Sequence, residues 1–175
     1  MRNRRWLIPI MGIFLVVFCD KSYDPAVETF ECHPENNPIN LEFKYGVTAK
    51  NILSTYDCTF QKDLIFDPPV ATQLKLTIAE LDSISAIMDA IGFFEYPDTF
   101  AIAVPGDTIC EFAPSSKYVL SVEGDSFRKS VYWNDNIFYP DSAADQLKDL
   151  IYYIINVIRA KEEYQALPEA TGGYD

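Results

Sequence analysis

The chain has 175 residues, 49% of them apolar and 14% aromatic, which is enough for one domain with a real core and excludes wholesale disorder. Its 14 basic and 26 acidic residues leave a net charge of −12, poor equipment for nucleic-acid phosphates, so no nucleic-acid partner is expected. Seven glycines and eleven prolines exclude collagen-like and low-complexity classes.

The first residues speak to the compartment. Arg2, Arg4 and Arg5 precede an apolar run from Trp6 to Phe18, and no acid occurs before Asp20. This is the pattern of a secretory signal. A helix over that run would rise roughly 20 Å, short of the roughly 30 Å hydrocarbon core, so a spanning helix is disfavoured. The run ends in Leu15-Val16-Val17-Phe18-Cys19 and turns polar at once with Asp20, Lys21 and Ser22. That ending resembles the lipobox of bacterial lipoproteins. The resemblance implies that the Cys19 thiol receives a diacylglyceryl group, that residues 1–18 are removed, and that the chain is exported to the cell envelope and held on a membrane by lipid. The family carries a small residue before the cysteine where this chain has Phe18, which leaves an uncleaved anchor or a different cut as the alternatives. Cleavage would take three arginines and no acid, making the chain three charges more negative. Anionic headgroups repel such a chain, so the acyl chains would do the holding.

Residues 19–39 read as a tether, with Pro25, Pro34 and Pro38 and no apolar periodicity. The sole histidine, His33, stands beside Cys32; with no second pair at ligand spacing it reads as an exposed linker residue, and no metal or other cofactor is expected.

A single domain is expected over 40–167. Leu41, Phe43 and Tyr45 alternate with Glu42 and Lys44 as a half-buried strand. Tyr56, Cys58 and Phe60 suggest a second strand that Asp67-Pro68-Pro69 ends, and Leu74 and Leu76 suggest a short third. Thr77-Ile78-Ala79-Glu80 is a capping box that starts a helix over 78–91, with Gly92 as its stop. Residues 93–116 hold either a hidden element or a functional loop, with a short strand plausible at Phe100–Val104. Tyr118, Leu120 and Val122 lead through a Gly124-Asp125 type II′ turn to a return strand carrying Phe127, Val131 and Trp133. Asn134-Asp135-Asn136 then reads as turn chemistry, with a calcium site as its rival. Asp141 or Ser142 caps a final helix running to about Gln165, whose stripe includes Leu147, Leu150, Ile151, Ile154, Ile155 and Ile158. An acidic tail covers 168–175. The sum is a two-layer α+β domain: a mainly antiparallel sheet of about five strands (β-β-β-α-β-β-α) covered on one face by two amphipathic helices.

Phe43-Lys44-Tyr45-Gly46, Asn51, Thr55, Lys62-Asp63-Leu64-Ile65, Thr77-x-x-Glu80 and Gly92-Phe93-x-x-Tyr96-Pro97 are similar to motifs of an uncharacterised domain of secreted bacterial proteins. That resemblance implies no activity.

Four cysteines stand at 19, 32, 58 and 110. With Cys19 acylated, three remain in a compartment that permits a disulfide. The favoured pairing is Cys58–Cys110, which would pin the long loop to the sheet; Cys32–Cys110 and no bridge are the alternatives.

A nucleophile paired with histidine is disfavoured by the single histidine's place on the tether. Carboxylate chemistry would need Asp63, Glu95 and Asp98 to converge with raised pKa values. The aromatics Phe94, Tyr96, Phe100, Tyr132, Trp133 and Tyr139 either form a binding surface for a peptide or sugar or cap the core. The reading is therefore a lipid-anchored, non-enzymatic binding or scaffolding module with an envelope protein or peptide as partner. The alternatives are an exported carboxylate-based or metal-dependent enzyme, and an acidic inhibitor or immunity-type protein facing a basic partner.

Overall fold

The computed structural model describes residues 30–106 and 111–174. The expected signal, Cys19, most of the expected tether and Cys110 lie outside those residues.

Seven strands form one sheet: β1 (Asn40–Gly46), β2 (Asn51–Ser54), β3 (Thr59–Leu64), β4 (Asp67–Gln73), β5 (Thr99–Phe100), β6 (Glu111–Gly124) and β7 (Phe127–Ile137). Their order is β4-β3-β2-β1-β6-β7-β5. Every neighbouring pair is antiparallel except β5 with β7. Helices α1 (Ile78–Ile91) and α2 (Ser142–Arg159) pack against each other, and a one-turn α3 (Glu162–Gln165) follows. The α+β class thus stands, with a mixed seven-stranded sheet and three helices in place of five strands and two helices.

The core follows from alternation. Phe43 of β1 stands opposite Leu53 of β2 and Leu120 of β6; Leu53 in turn faces Phe60 of β3 and Leu120 faces Val131 of β7, so one row of apolar side chains crosses five strands. Leu81, Ile84 and Met88 of α1 and the isoleucine-rich stripe of α2 close over it. The capping box forms as read: the Thr77 hydroxyl accepts from the Glu80 N–H at 3.2 Å, and the Thr77 N–H donates to the Glu80 carboxylate at 2.7 Å. Gly92 closes α1 in the left-handed region at φ +66°, where a side chain is disfavoured. Asp141 caps α2 by accepting from the Ala143 and Ala144 N–H groups, both at 2.9 Å.

Several boundaries differ from expectation. The expected second strand is two strands, β2 and β3, joined by a tight turn, and Cys58 ends that turn at φ +49°. Only Leu53 and Ser54 of the short β2 are buried, so it offers no alternating pattern to read. Pro68 and Pro69 do not end a strand. They lie in β4, an edge strand, at a register shift between Lys62 and Leu64 where the ladder needs no N–H from them. Leu74 and Leu76 are buried in the extended lead into α1 rather than in a strand.

The long loop hides the first half of β6, whose pairing shifts register between Glu111 and Ser116; the expected strand near Phe100 shrinks to β5. Gly124 pairs with Phe127, so the hairpin turn is Asp125-Ser126 rather than Gly124-Asp125. A Cβ at 124 would lie 2.5 Å from the Phe127 ring, so a larger residue there would turn that ring aside. Asn134-Asp135-Asn136 continues β7 instead of turning. Asp135 is buried there and paired with Lys148 at 3.1 Å, a partner that makes it strand-compatible.

Finally, α2 stops at Arg159. Lys161, extended at ψ 137°, redirects the chain and ties itself to Glu80 at 2.6 Å, and α3 then sets Tyr164 against Phe60, ring centroids 5.4 Å apart. Among the described residues no helix is long and apolar enough to cross a membrane.

Candidate functional site

The six aromatics singled out above do not share one surface. Tyr96, Phe100 and Trp133 are core residues: the Tyr96 hydroxyl donates to the Ala143 carbonyl at 2.8 Å, and Phe100 stands edge-on to Trp133 at 5.6 Å. Phe94 is half-buried against Phe127. Tyr132 alternates with Trp133 and so lies on the sheet's open face, while Tyr139 is exposed beside Phe138 at the corner between β7 and α2. The sheet's alternation, which places neighbours on opposite faces, is what separates them.

The three carboxylates also stay apart. Glu95 borders a shallow apolar cleft with Tyr96 and Gln146. Asp98 is exposed and paired with Lys129 at 2.8 Å. Asp63 is buried at the opposite end of the sheet. Burial pushes its carboxyl up, but donated hydrogen bonds from Tyr174, Thr48 and the Ile65 N–H outweigh that and hold it below its ordinary value. It is an ionised acceptor rather than a proton donor.

Cys58 is bonded to Cys32, with Cα atoms 5.8 Å apart, and not to Cys110. The tight turn before β3 presents Cys58 to the segment ahead of β1, a geometry that a continuous strand through Cys58 would not allow. The bridge fastens the upstream segment to the domain. Pro34–Asn36 form a single 3-10 turn, and Asn40 donates back to the Pro34 carbonyl at 3.0 Å. His33 is exposed between Glu31 at 3.1 Å and Glu35 at 3.0 Å, and its hydrogen bonds to those two carboxylates raise its pKa.

The most unusual chemistry gathers in a cleft of about 230 Å³ between the ends of β1, β3 and α2. β3 sets Lys62 in phase with Phe60 and Leu64, so a lysine points the way the core does. Its side chain is only 7% exposed. The ammonium lies 4.9 Å from the centroid of the Tyr164 ring, and the nearest carboxylate, on the fully exposed Glu169, is 3.8 Å away. The stem is thus buried while the ammonium keeps contact with solvent at the cleft, where Glu169 is its only carboxylate neighbour within 4 Å among the described residues. Tyr45 lines the same cleft; burial first, and then the adjacent Tyr164, push its hydroxyl pKa up against the opposing influence of Arg159, so it stays a donor. Arg159 completes the cationic side from the last residue of α2.

The chain's last residues wall this cleft. The Thr171 N–H donates to the Leu64 carbonyl at 3.1 Å and its hydroxyl to Asp67 at 2.7 Å. Thr48 donates to Asp63 at 2.7 Å, and Tyr174 donates to the same carboxylate. Gly172, at φ +89°, leaves room for the Phe66 ring, which would overlap any Cβ. The segment expected as a tail is therefore a strap. Between strap and strand stands Ile65 at φ +69°, a conformation a β-branched residue adopts only under strain.

The cleft had one signal in the sequence: the period of β3 places Lys62 on the apolar phase. The strap had none, because its partners lie more than a hundred positions away. Among the described residues no group of three or more His, Cys, Asp or Glu side chains could hold a metal ion. Comparison with protein-family models, with curated proteins and with solved structures finds no match for this chain.

Proposed function

We propose that this chain is a lipid-anchored protein of the bacterial cell envelope, exported across the cytoplasmic membrane, whose α+β domain binds a ligand rather than transforming one. The observation that carries the reading is the Cys32–Cys58 disulfide. Disulfides persist in oxidising compartments and are rare where thiols are kept reduced. It joins the segment following the lipobox-like Cys19 to the root of the domain, so an anchor at Cys19 would reach the fold through a short tether with a fixed end. With Cys32 and Cys58 bonded, Cys19 and Cys110 are left, and acylation of Cys19 leaves Cys110 as the one free thiol by count. The cleft favours binding over catalysis: it is lined by the donors Tyr45, Lys62 and Arg159, its one buried carboxylate, Asp63, is held as an ionised acceptor, and the sole histidine, His33, is not among its lining residues.

Thiol trapping in intact cells tests the reading. Cells expressing the full-length chain are quenched with an alkylating reagent, and the protein is digested and mapped. Cys32 and Cys58 should be protected until a reductant is added, and become freely alkylated in a chain lacking residues 2–18. Alkylation of both cysteines in the full-length protein without reductant would contradict export.

A further inference from the structure

We propose that the cleft beside Lys62 is a receptor for a carboxylate group carried on an apolar body. Three residues with donor groups line it: Lys62, Tyr45 and Arg159. The Lys62 side chain is more than nine-tenths buried and lines this cleft, with its one carboxylate neighbour among the described residues beyond hydrogen-bond distance at 3.8 Å. Its one carboxylate neighbour is a fully exposed side chain at long range, so the ammonium meets the cleft with capacity for a closer anionic partner. The walls decide what completes it. Tyr45 and Tyr164 supply phenol faces, while Val47, Ile65 and Ala170 supply apolar edges, which suits an apolar body behind the charged group. The charge must be single. Asp63 is ionised in the same cleft and the whole chain carries −12, which repels a phosphate dianion about twice as strongly as a carboxylate. Glu169 marks the route: the strap holds a fully exposed carboxylate at the mouth, where an incoming carboxylate would displace it and move closer to Lys62.

The same group could arrive on a free organic acid or on an acidic side chain of a polypeptide, and the probes separate these. The full-length chain in detergent, labelled with 13C at the lysine ε-carbon, is titrated with phenylacetate, with the capped tripeptide acetyl-Phe-Glu-Phe-amide, and with inorganic phosphate, and the parent and each variant are titrated in parallel by calorimetry, which reads binding without the Lys62 signal. A saturable shift of the Lys62 signal is expected with at least one carboxylate. Saturation by phenylacetate alone assigns a free acid; saturation by the tripeptide assigns a polypeptide side chain. Lys62→Met should weaken binding about tenfold or more, as loss of a charge-assisted hydrogen bond does. Arg159→Gln lies at an exposed helix end, so the fold is kept and binding should weaken about twofold to fivefold. Glu169→Gln removes the competing carboxylate and should tighten binding by a similar factor. No saturable shift with either carboxylate, equal binding by Lys62→Met or Arg159→Gln, or phosphate binding at least as tightly would overturn the proposal. It rests on reading the domain as a binding module but not on the anchor. Binding without acylation would remove only the anchor, and acylation without binding would remove only the receptor.

Discussion

Asp63 shows how one side chain can hold a segment of chain. It is buried, yet it accepts from Thr48, from Tyr174 and from the Ile65 N–H, and these bonds hold its pKa below the ordinary 3.8 despite the burial that raises it. A carboxylate depressed in the folded state contributes stability that is fully present above its unfolded pKa and lost as pH falls through the folded value. Strap docking should therefore be complete at neutral pH and weaken below about pH 4. Tyr174→Phe removes one donor and should cost about 1–2 kcal/mol at pH 7, a deficit that shrinks toward zero near pH 2. Urea unfolding of both proteins across that range checks the sign: a deficit independent of pH would mean that Tyr174 acts by packing alone. At this scale the sequence was informative where a residue acts on its immediate neighbours. Thr77, Glu80, Gly92 and Asp141 all do what their positions dictate, because a helix cap is a local bond. The Cys32–Cys58 pair was not legible: it depends on a turn at positive φ, and the apparent Tyr56-Cys58-Phe60 alternation concealed that turn.

The elements owe their stability to faces rather than to propensity. In α2, seven buried residues from Ala144 to Ile158 lie on one side, while Tyr152 stands out in solvent. Ile154 is fully buried, so Ile154→Ala should destabilise by about 2–5 kcal/mol through lost transfer energy and the cavity left behind. Tyr152→Ala should stay within about 0.5 kcal/mol of the parent. Chemical denaturation with an unchanged m-value is the check; equal costs at the two positions would mean that the α2 stripe faces elsewhere. Long periodic elements were readable for the same reason: α1, α2, β1 and the β6–β7 hairpin repeat their pattern often enough to rise above noise. What escaped was short or aperiodic. Four-residue β2, two-residue β5 and the proline-bearing edge β4 gain their geometry from neighbours along the sheet, and α3 is set by contacts of Tyr164 that no local pattern encodes.

Among the described residues the fold is a sheet with helices on one face only, bounded at one edge by the prolines of β4. Its chemistry is unevenly placed. The disulfide lies at the root of the domain, while the cleft with Lys62 lies where β1 and β3 meet the C-terminal strap. An anchor at Cys19 would thus hold the domain by the disulfide-bonded segment and leave the cleft unobstructed. The net charge of −12 favours a domain that stands off an anionic surface, so under the anchored reading contact with the membrane would come from lipid rather than from the fold. The aromatic surplus, which suggested a binding surface, is largely the filling of a wide sheet; a residue count cannot distinguish the two, because the alternation that sorts them emerges only with register. The intact mass of the chain from the membrane fraction, beside that of a Cys19→Ser variant, tests the anchored reading most directly. It predicts a chain beginning at Cys19 with added acyl mass, both lost in the variant. A chain that retains Met1, or is cut elsewhere without lipid, would contradict it.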